Sequence, residues 1–426
     1  MNNIELEHRR LTRRYFAQVL AAGATGTAGS VMGCTSGSTK SVAYPGLGKT
    51  LKKRTYLTPQ ELFGTVERGN PLPYKLPPDK LAAAGLTPET WKLEVLSDPQ
   101  APVKLEEELD AKNGTAFSYD DLMEASEQHA VRFVKTLTCA NGAKPLGTGL
   151  WEGVPLRHVV EKTGVWAGLR RVWYYGYHNQ DPKQLFRSSL PSDRVFEDPL
   201  GTPPVILAYR LNGELLSGKR GGPVRLIVPE SYGFKSIKWL SRVVLSNTFT
   251  ANDTYEMFGN TTESWMKSLA RFMSVPQSVS AGASIPLTGL AQVGTAGLRK
   301  VQVLIKSGTI RSPDLWDAGH WRDEPGWFDA DLLAPPNSWG GRLPASHEPG
   351  NRPVAFGFSA ETGAPEKWPL RFTTAHWAAV ARAPTQPGKY TAVCRTVDRE
   401  GRPQPWPRTI QNAGRNLLHR QVIEVL

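Results

Sequence analysis

The chain has 426 residues, 40% of them hydrophobic and 21% charged, with a net charge of +12 at neutral pH. That length supports two or three domains with real cores, and the composition excludes disordered, collagen-like and membrane-spanning classes. No Lys/Arg run or basic–aromatic stripe accompanies the charge, which argues against nucleic acid as a partner and leaves a spread solubilising charge or an anion pocket.

The chain opens on an address. Residues 8–21 read HRRLTRRYFAQVLA, with Arg13 and Arg14 just before Tyr15 and Phe16, and a weakly apolar run follows over 19–32. A positive segment, a modest apolar segment and small residues predict an export signal over 1–34, of the twin-arginine type, and hence a periplasmic or exported protein. Gly33-Cys34 sits where a lipoprotein signal would end, so Cys34 is either a lipid anchor or lies near an ordinary cleavage point. Residues 35–54 are rich in Gly, Ser and Thr and read as a tether.

Residues 51–90 are Pro-rich and read as an ordered arm packed on the first domain. Alternation predicts a strand over 91–96, helical spacing a helix over 117–128, and an apolar run a strong strand over 131–138 that leads straight into Cys139. A short helix is predicted over 154–163, closed by Gly164. Strands are predicted over 171–177, 204–209, 224–228 and 238–245. This interleaving indicates an α+β domain ending near residue 250. Beyond it, predicted strands at 279–285, 298–305, 375–381, 390–396 and 421–425 are separated by turn-rich loops, a β-sandwich pattern. Between them, 312–370 carries five Trp and little periodicity. It reads as a roof for a pocket, a docking surface or a packed elaboration.

The cysteines are Cys34, Cys139 and Cys394, and no pair has metal-finger, CxxC or haem-attachment spacing. Cys139 ends an apolar strand and is followed by Ala-Asn-Gly-Ala-Lys144-Pro-Leu-Gly, a loop able to present backbone N–H groups. A thiolate near Lys144 suits a soft metal or nucleophilic chemistry, and the competing reading is a buried structural thiol. Trp151 supplies an aromatic wall downstream. A second cluster runs from Lys219 and Arg220 through Arg225 to Lys235, Ser236, Ile237 and Lys238. Alternation buries Arg225 or its neighbours, and a buried Arg requires an anionic partner. Ser236, Lys238 and loop N–H groups suit a phosphate. A solvated basic edge is the alternative.

The ordered run FVKTLTCANGAK…LWEGVPLRHVVEKTG, FRSSLP…PPVILAYRLNGELL and GGPVRLIVPESYGFKSIKWL resembles the sulfite oxidase family of molybdopterin enzymes. The likeness spans roughly 55–250, and the strands after 279, with TAVCRTVDREGRPQP, resemble that family's Ig-like C-terminal domain. The resemblance implies a molybdopterin-binding catalytic domain over 55–250 with the sulfite oxidase fold, a connecting segment over 251–278, and an Ig-like domain over 279–426 carrying the insertion 312–370. It implies molybdenum bound by a pterin dithiolene, oxo ligands and the thiolate of Cys139. Arg225, Ser236, Ile237 and Lys238 match the residues that grip the pterin and its phosphate. Lys235 is a neighbouring candidate, Arg220 stands where His or Asn is usual, and Tyr174 or Tyr175 loosely matches a further pterin contact.

The substrate end departs from sulfite oxidases. Lys144 stands where the family places a substrate-gripping Arg and keeps the charge without the planar fork. Arg68 in VERGNPLP matches a second family Arg. The usual active-site Tyr has only Tyr255 as a counterpart, several residues early. The reading is oxygen-atom transfer that oxidises sulfite or a related small sulfur compound. Electrons would leave to a separate carrier such as a periplasmic cytochrome, and the C-terminal domain could form a homodimer. Two alternatives stay open: a reductase of S-oxides or N-oxides, and an exported binding protein without catalysis.

Overall fold

The structure is a computed structural model and describes residues 56–67, 69–140, 144–177, 186–251, 253, 260–336, 339, 353–406, 414 and 416–426. The expected export signal, Cys34, the tether, Arg68 and Tyr255 lie outside the described residues. Lys144 is described in its backbone only.

After an arm and a short helix α1 (Pro78–Ala83), the first half runs β1 (Lys92–Ser97), β2 (Phe117–Ser118), α2 (Tyr119–His129), β3 (Val131–Cys139), β4 (Lys144–Pro155), α3 (Leu156–Glu161), β5 (Arg171–Gly176), β6 (Phe186–Pro191), α4 (Ser192–Phe196), β7 (Ile206–Leu211), β8 (Glu214–Leu215), β9 (Arg225–Ile227) and β10 (Leu240–Ser246). Ser118 starts α2 through a capping box: Asp121 N–H donates to the Ser118 hydroxyl at 3.1 Å, and Ser118 N–H donates to the Asp121 carboxylate at 2.8 Å. Two five-stranded sheets result, one ordered β2-β1-β10-β5-β6, the other β3-β4-β7-β8 with β9 added on β7. The main core lies between these elements and contains Leu93, Val159, Tyr174, Leu226 and Val243.

The second half runs β11 (Leu269–Ser274), β12 (Ser278–Val279), β13 (Ser284–Gln292), β14 (Lys300–Ser307), α5 (Ala318–Asp323), β15 (Phe328–Leu332), β16 (Thr374–Arg382), β17 (Gly388–Val397) and β18 (His419–Val425). Pairing follows β11-β13-β16-β15-β14-β17-β18-β12, with β15 joining β14 to β16. Both ends of that path contribute to one core, in which Phe272, Leu287 and Trp377 meet Val301, Cys394 and Ile423.

Several expectations are corrected. Residues 154 and 155 end β4, and the helix begins only at Leu156, because Val154 and Pro155 pair with β7. The turn after Cys139 is shorter than expected, since Lys144 already pairs with Cys139. The segment 251–278 is more than a connection: β11 lies in it and pairs along β13. The strand expected over 279–285 is divided between β12 and β13. The insertion is partly ordered by pairing, because β15 lies inside it.

One junction positions the site. Strand β3 is an edge strand, and its outer edge is covered by the second half: Thr136 N–H donates to Phe372 O at 2.7 Å, and Phe356 N–H donates to Arg132 O at 2.7 Å. Trp339 and Phe358 of the insertion pack with Tyr56 of the arm on Val134 and Leu150. The other face of β3 packs Phe133 and Leu137 against Trp151. Seven successive residues of β3 are therefore buried.

Candidate active site

A cleft with about 840 Å³ of free space, continuous with solvent, opens where β3 ends. Cys139, Arg220, Arg225, Ser236, Ile237 and Lys238 all line it, so residues up to 99 positions apart in sequence converge on one cleft. Among the described lining residues Cys139 is the one side chain with a metal-ligating group of the Cys, His, Asp or Glu type. Its thiol is partly accessible, whereas Cys394 is fully buried and burial pushes its thiol far up. The two cysteines thus separate into a reachable one and an inert one.

The opposite part of the cleft is a cationic cradle. Gly221 makes its turn, at φ +100°, and a Cβ there would lie 2.8 Å from the Lys238 side chain. Arg225 is 3% exposed and donates to Arg220 O at 2.7 Å and to Ser236 O at 2.5 Å. It thereby fixes two stretches of backbone to one another. Arg220 donates to Phe63 O at 3.0 Å, Gly64 O at 3.3 Å and Thr65 Oγ1 at 2.5 Å. The Nε atoms of both arginines are buried without a hydrogen-bond partner. Lys238 donates to Lys219 O at 3.1 Å. Ser236 Oγ accepts from Val228 N–H at 3.1 Å, which leaves its own proton to donate into the cleft.

No ion pair to a carboxylate is present for Arg220, Arg225 or Lys238 among the described residues. Burial, and then the charge of Arg220, pushes Arg225 down to about 9. Burial, then Arg225 and Arg220, pushes Lys238 down to about 7. Glu67 opposes this weakly, and its carboxylate accepts the Tyr74 hydroxyl at 2.8 Å. Three crowded basic groups and two buried N–H groups without acceptors suit an anion, which would hold all three in their charged forms.

The structure does not bring Lys235 or Tyr174 to the cleft. Lys235 is fully buried and pairs with Asp253 at 2.7 Å while donating to Ser189 O at 2.9 Å. It pins the short turn Gly233–Lys235, from which Ser236 follows. Tyr174 lies in the main core, on β5. Both were expected as cofactor contacts, but alternation turns one inward from the strand, and the one-turn helix aims the other away from Ser236. The side chain of Lys144 lies outside the described residues, as does Arg68. Within the insertion, Trp339, Ala355 and Phe358 pack on Val134 and Leu150, Leu315 and Trp321 pack within the second half, and no described residue of the insertion lines the cleft.

Sequence reasoning missed three contributors. Phe63, Gly64 and Val66 of the arm form a wall, with Phe63 lying over Gly147, where a Cβ would meet its ring at 2.5 Å. Phe186 and Phe234 add apolar lining to the cleft. Lys135 is fully buried on β3, two residues before the lining Leu137, donating to Pro229 O at 2.6 Å, Ser231 O at 2.9 Å and Met266 Sδ at 3.2 Å, and burial pushes it down to about 7. A lysine at the centre of the strand VRFVKTLTC, between Val134 and Leu137, was the available signal for it.

Residues 82–254 match the family model described as the oxidoreductase molybdopterin binding domain. The chain is similar to mitochondrial sulfite oxidase of Drosophila melanogaster, 34% identical over 123 residues, covering 29% of this chain and 21% of that one. It is similar to inducible nitrate reductase [NADH] 1 of Glycine max, 30% identical over 154 residues, covering 32% of this chain and 17% of that one. The match thus spans only about a fifth of the length of these relatives. Among solved structures, the sulfane dehydrogenase SoxCD from Paracoccus pantotrophus is similar in fold, with a TM-score of 0.52 and 17% identity, covering 89% of this chain and 91% of that one.

Proposed function

Taking residues 82–254 as a member of the molybdopterin-binding oxidoreductases of the sulfite oxidase type, we propose that this chain oxidises a small sulfur compound by oxygen-atom transfer. The observation that carries the proposal is the pairing, in one cleft, of an accessible Cys139 with a buried cationic cradle lacking a carboxylate. A metal bound by protein alone would need several ligands from the chain. A single thiolate suits a metal that arrives with ligands of its own. The two Nε donors, Ser236 Oγ and Lys238 suit the terminal phosphate of a pterin. The residues therefore fit molybdenum and molybdopterin.

In this reading Cys139 gives up its proton and holds the metal as a thiolate. Arg225 keeps the backbones of Arg220 and Ser236 at fixed separation, and Ile237 closes the side of the cradle. Lys235 with Asp253 and Tyr174 act behind it, as support. Phe63, Phe186 and Phe234 keep water from the reacting end, which strengthens every charge interaction there. When bound, the cofactor supplies the two-electron and oxygen-atom chemistry; the chain supplies orientation, charge and dryness. Lys144 and Arg68 are proposed to hold an anionic substrate.

The wider reading includes an Ig-like identity for the second half, with dimerisation through it, and export by the twin-arginine route with Cys34 as a possible lipid anchor. A separate electron carrier, such as a periplasmic cytochrome, completes it. The sulfane dehydrogenase likeness supports a sulfur substrate through fold alone, and nitrate reductases among the relatives support the same site working as a reductase. A substrate panel on molybdenum-loaded protein, with an artificial acceptor and an artificial donor in parallel, decides direction. Protein from a molybdopterin-making host that contains neither metal nor pterin would instead indicate a binding protein without catalysis.

A further inference from the structure

We propose that Arg220 is a positioning residue that clasps the arm over the cleft and couples closure of that wall to occupancy of the cradle. The inference rests on the reading that an anionic pterin cofactor fills the cradle. Phe63, Gly64 and Val66 form the wall, yet Val66 and the neighbouring Leu62 are 44% and 42% exposed, so little protein lies behind them. Phe63 anchors the wall against Trp151, and backbone bonds hold it by Gly64 N–H to Leu146 O at 2.7 Å and Thr58 N–H to Thr148 O at 2.7 Å, so the exposed end from Gly64 to Val66 is the part left to move. Both Nη atoms of Arg220 point to this wall, reaching Phe63 O, Gly64 O and Thr65 Oγ1. Its Nε stays buried without a partner on a residue that lines the cleft. One planar group thus grips the arm on one side and keeps a donor on another.

The charge arrangement supplies the coupling. Arg225 donates to the Arg220 carbonyl, so the backbone of Arg220 is fixed and only its side chain can yield. With the cradle empty, the guanidinium faces the like charges of Arg225 and Lys238. An anion at the cradle turns that repulsion into attraction and holds the guanidinium where its Nη atoms reach the arm. By linkage, whatever factor the anion adds to arm closure, arm closure adds to retention of the anion.

Hydrogen exchange at Gly64 reads the wall directly, because opening frees its N–H. Exchange would be followed in full-length wild type, Arg220→Ala, Arg220→Lys and Thr65→Val, each loaded and cofactor-free, with molybdenum and pterin measured on the same samples. Loading should slow Gly64 exchange at least tenfold in wild type. In Arg220→Ala the arm should exchange fast in both forms, with the loading effect under twofold, and cofactor should leave faster on dilution. Arg220→Lys should retain cofactor better than Arg220→Ala while leaving the arm fast. Thr65→Val, altered on the arm itself, should show an intermediate loading effect. Equal loading effects in wild type and Arg220→Ala, or none in wild type, overturn the coupling. Wild type that takes up no pterin overturns the cofactor reading and the coupling with it. The hold on the arm is then judged from the cofactor-free proteins alone, and equal exchange in wild type and Arg220→Ala removes that as well.

Discussion

The guanidinium carbon of Arg225 lies 5.3 Å from the centre of the Trp151 indole ring. This buried cation is balanced by an aromatic face below it and by the carbonyls of Arg220 and Ser236 at its Nη atoms. Trp151 is in turn held by its own indole N–H, which donates to Lys135 O on β3 at 3.2 Å. The strand that ends in Cys139 and the cradle that faces it are therefore joined through one ring. The spacing between thiol and cradle is built before any ligand binds.

Arg225→Lys tests that bridge. Lysine can satisfy one carbonyl, and leaving the other without its donor should cost about 1–3 kcal/mol. We expect a lower urea midpoint together with a fall of about tenfold or more in molybdenum per chain. Unchanged metal content by elemental analysis would place Arg225 outside the binding machinery.

Cys139→Ser replaces a soft, electron-donating thiolate with a hard oxygen. Turnover should fall by several orders of magnitude, and the molybdenum electron paramagnetic resonance signal should change in the loaded protein. Full turnover with an unaltered signal would remove Cys139 as the metal ligand. Cys394→Ser should leave the signal alone, since Cys394 packs in the second core.

Stability of the cofactor-free protein should rise with pH between 7 and 9. Lys135 and Lys238 are each pushed down to about 7 in the folded chain, whereas an unfolded lysine titrates near 10.5. Across that window the unfolded chain binds more protons, so raising the pH favours the fold. Above about 10 the buried Tyr174, Tyr209 and Tyr232, all raised by burial, oppose the trend. Urea midpoints at pH 7, 8 and 9 should show the rise, and Lys135→Met should flatten it. A slope that Lys135→Met leaves unchanged would contradict a buried Lys135 that loses its charge in the fold as the pH rises past about 7.

Lys144→Met removes a proposed substrate charge at similar side-chain length. One charge-assisted hydrogen bond is worth about 1.5–3 kcal/mol, so kcat/KM for anionic substrates should fall about tenfold to a hundredfold. Neutral sulfoxides should be affected little. Equal effects on both substrate classes would turn Lys144 away from the metal.

Much of this site was legible because its chemistry is concentrated in short runs. FVKTLTC announces a buried strand ending in a thiol, and RGGPVR with GFKSIK announces cations at the edge of a sheet. The roles inside those runs were less legible. Lys235 and Lys238 are three residues apart and look alike in sequence. A one-turn helix sends the first to Asp253 and leaves the second in the cleft. Tyr174 was read as a contact, although the period-two alternation of β5 turns it into the core. The arm was legible only as ordered chain. Its part in the wall depends on Phe63 lying over Gly147 and on Arg220, contacts made across 84 and 157 positions that no local pattern encodes. The strands at 269–274 and 328–332 were hidden for a similar reason, since each is specified by its partners more than by its own alternation.

The Thr138 hydroxyl donates to Gln292 Oε1 at 2.6 Å, and Gln292 Nε2 donates to Lys267 O at 2.7 Å. The residue next to Cys139 is thus braced by β13, beyond the end of the matched domain at residue 254. The smallest portable unit of this site is therefore larger than the matched domain. A graft of 82–254 onto another scaffold would carry the thiol and the cradle but leave the arm behind, strip the outer edge of β3 and free the segment leading into Cys139. Inheritance of the site by a new architecture would require the second half to travel with it, or a replacement able to offer an acceptor to Thr138 and a carbonyl to Thr136.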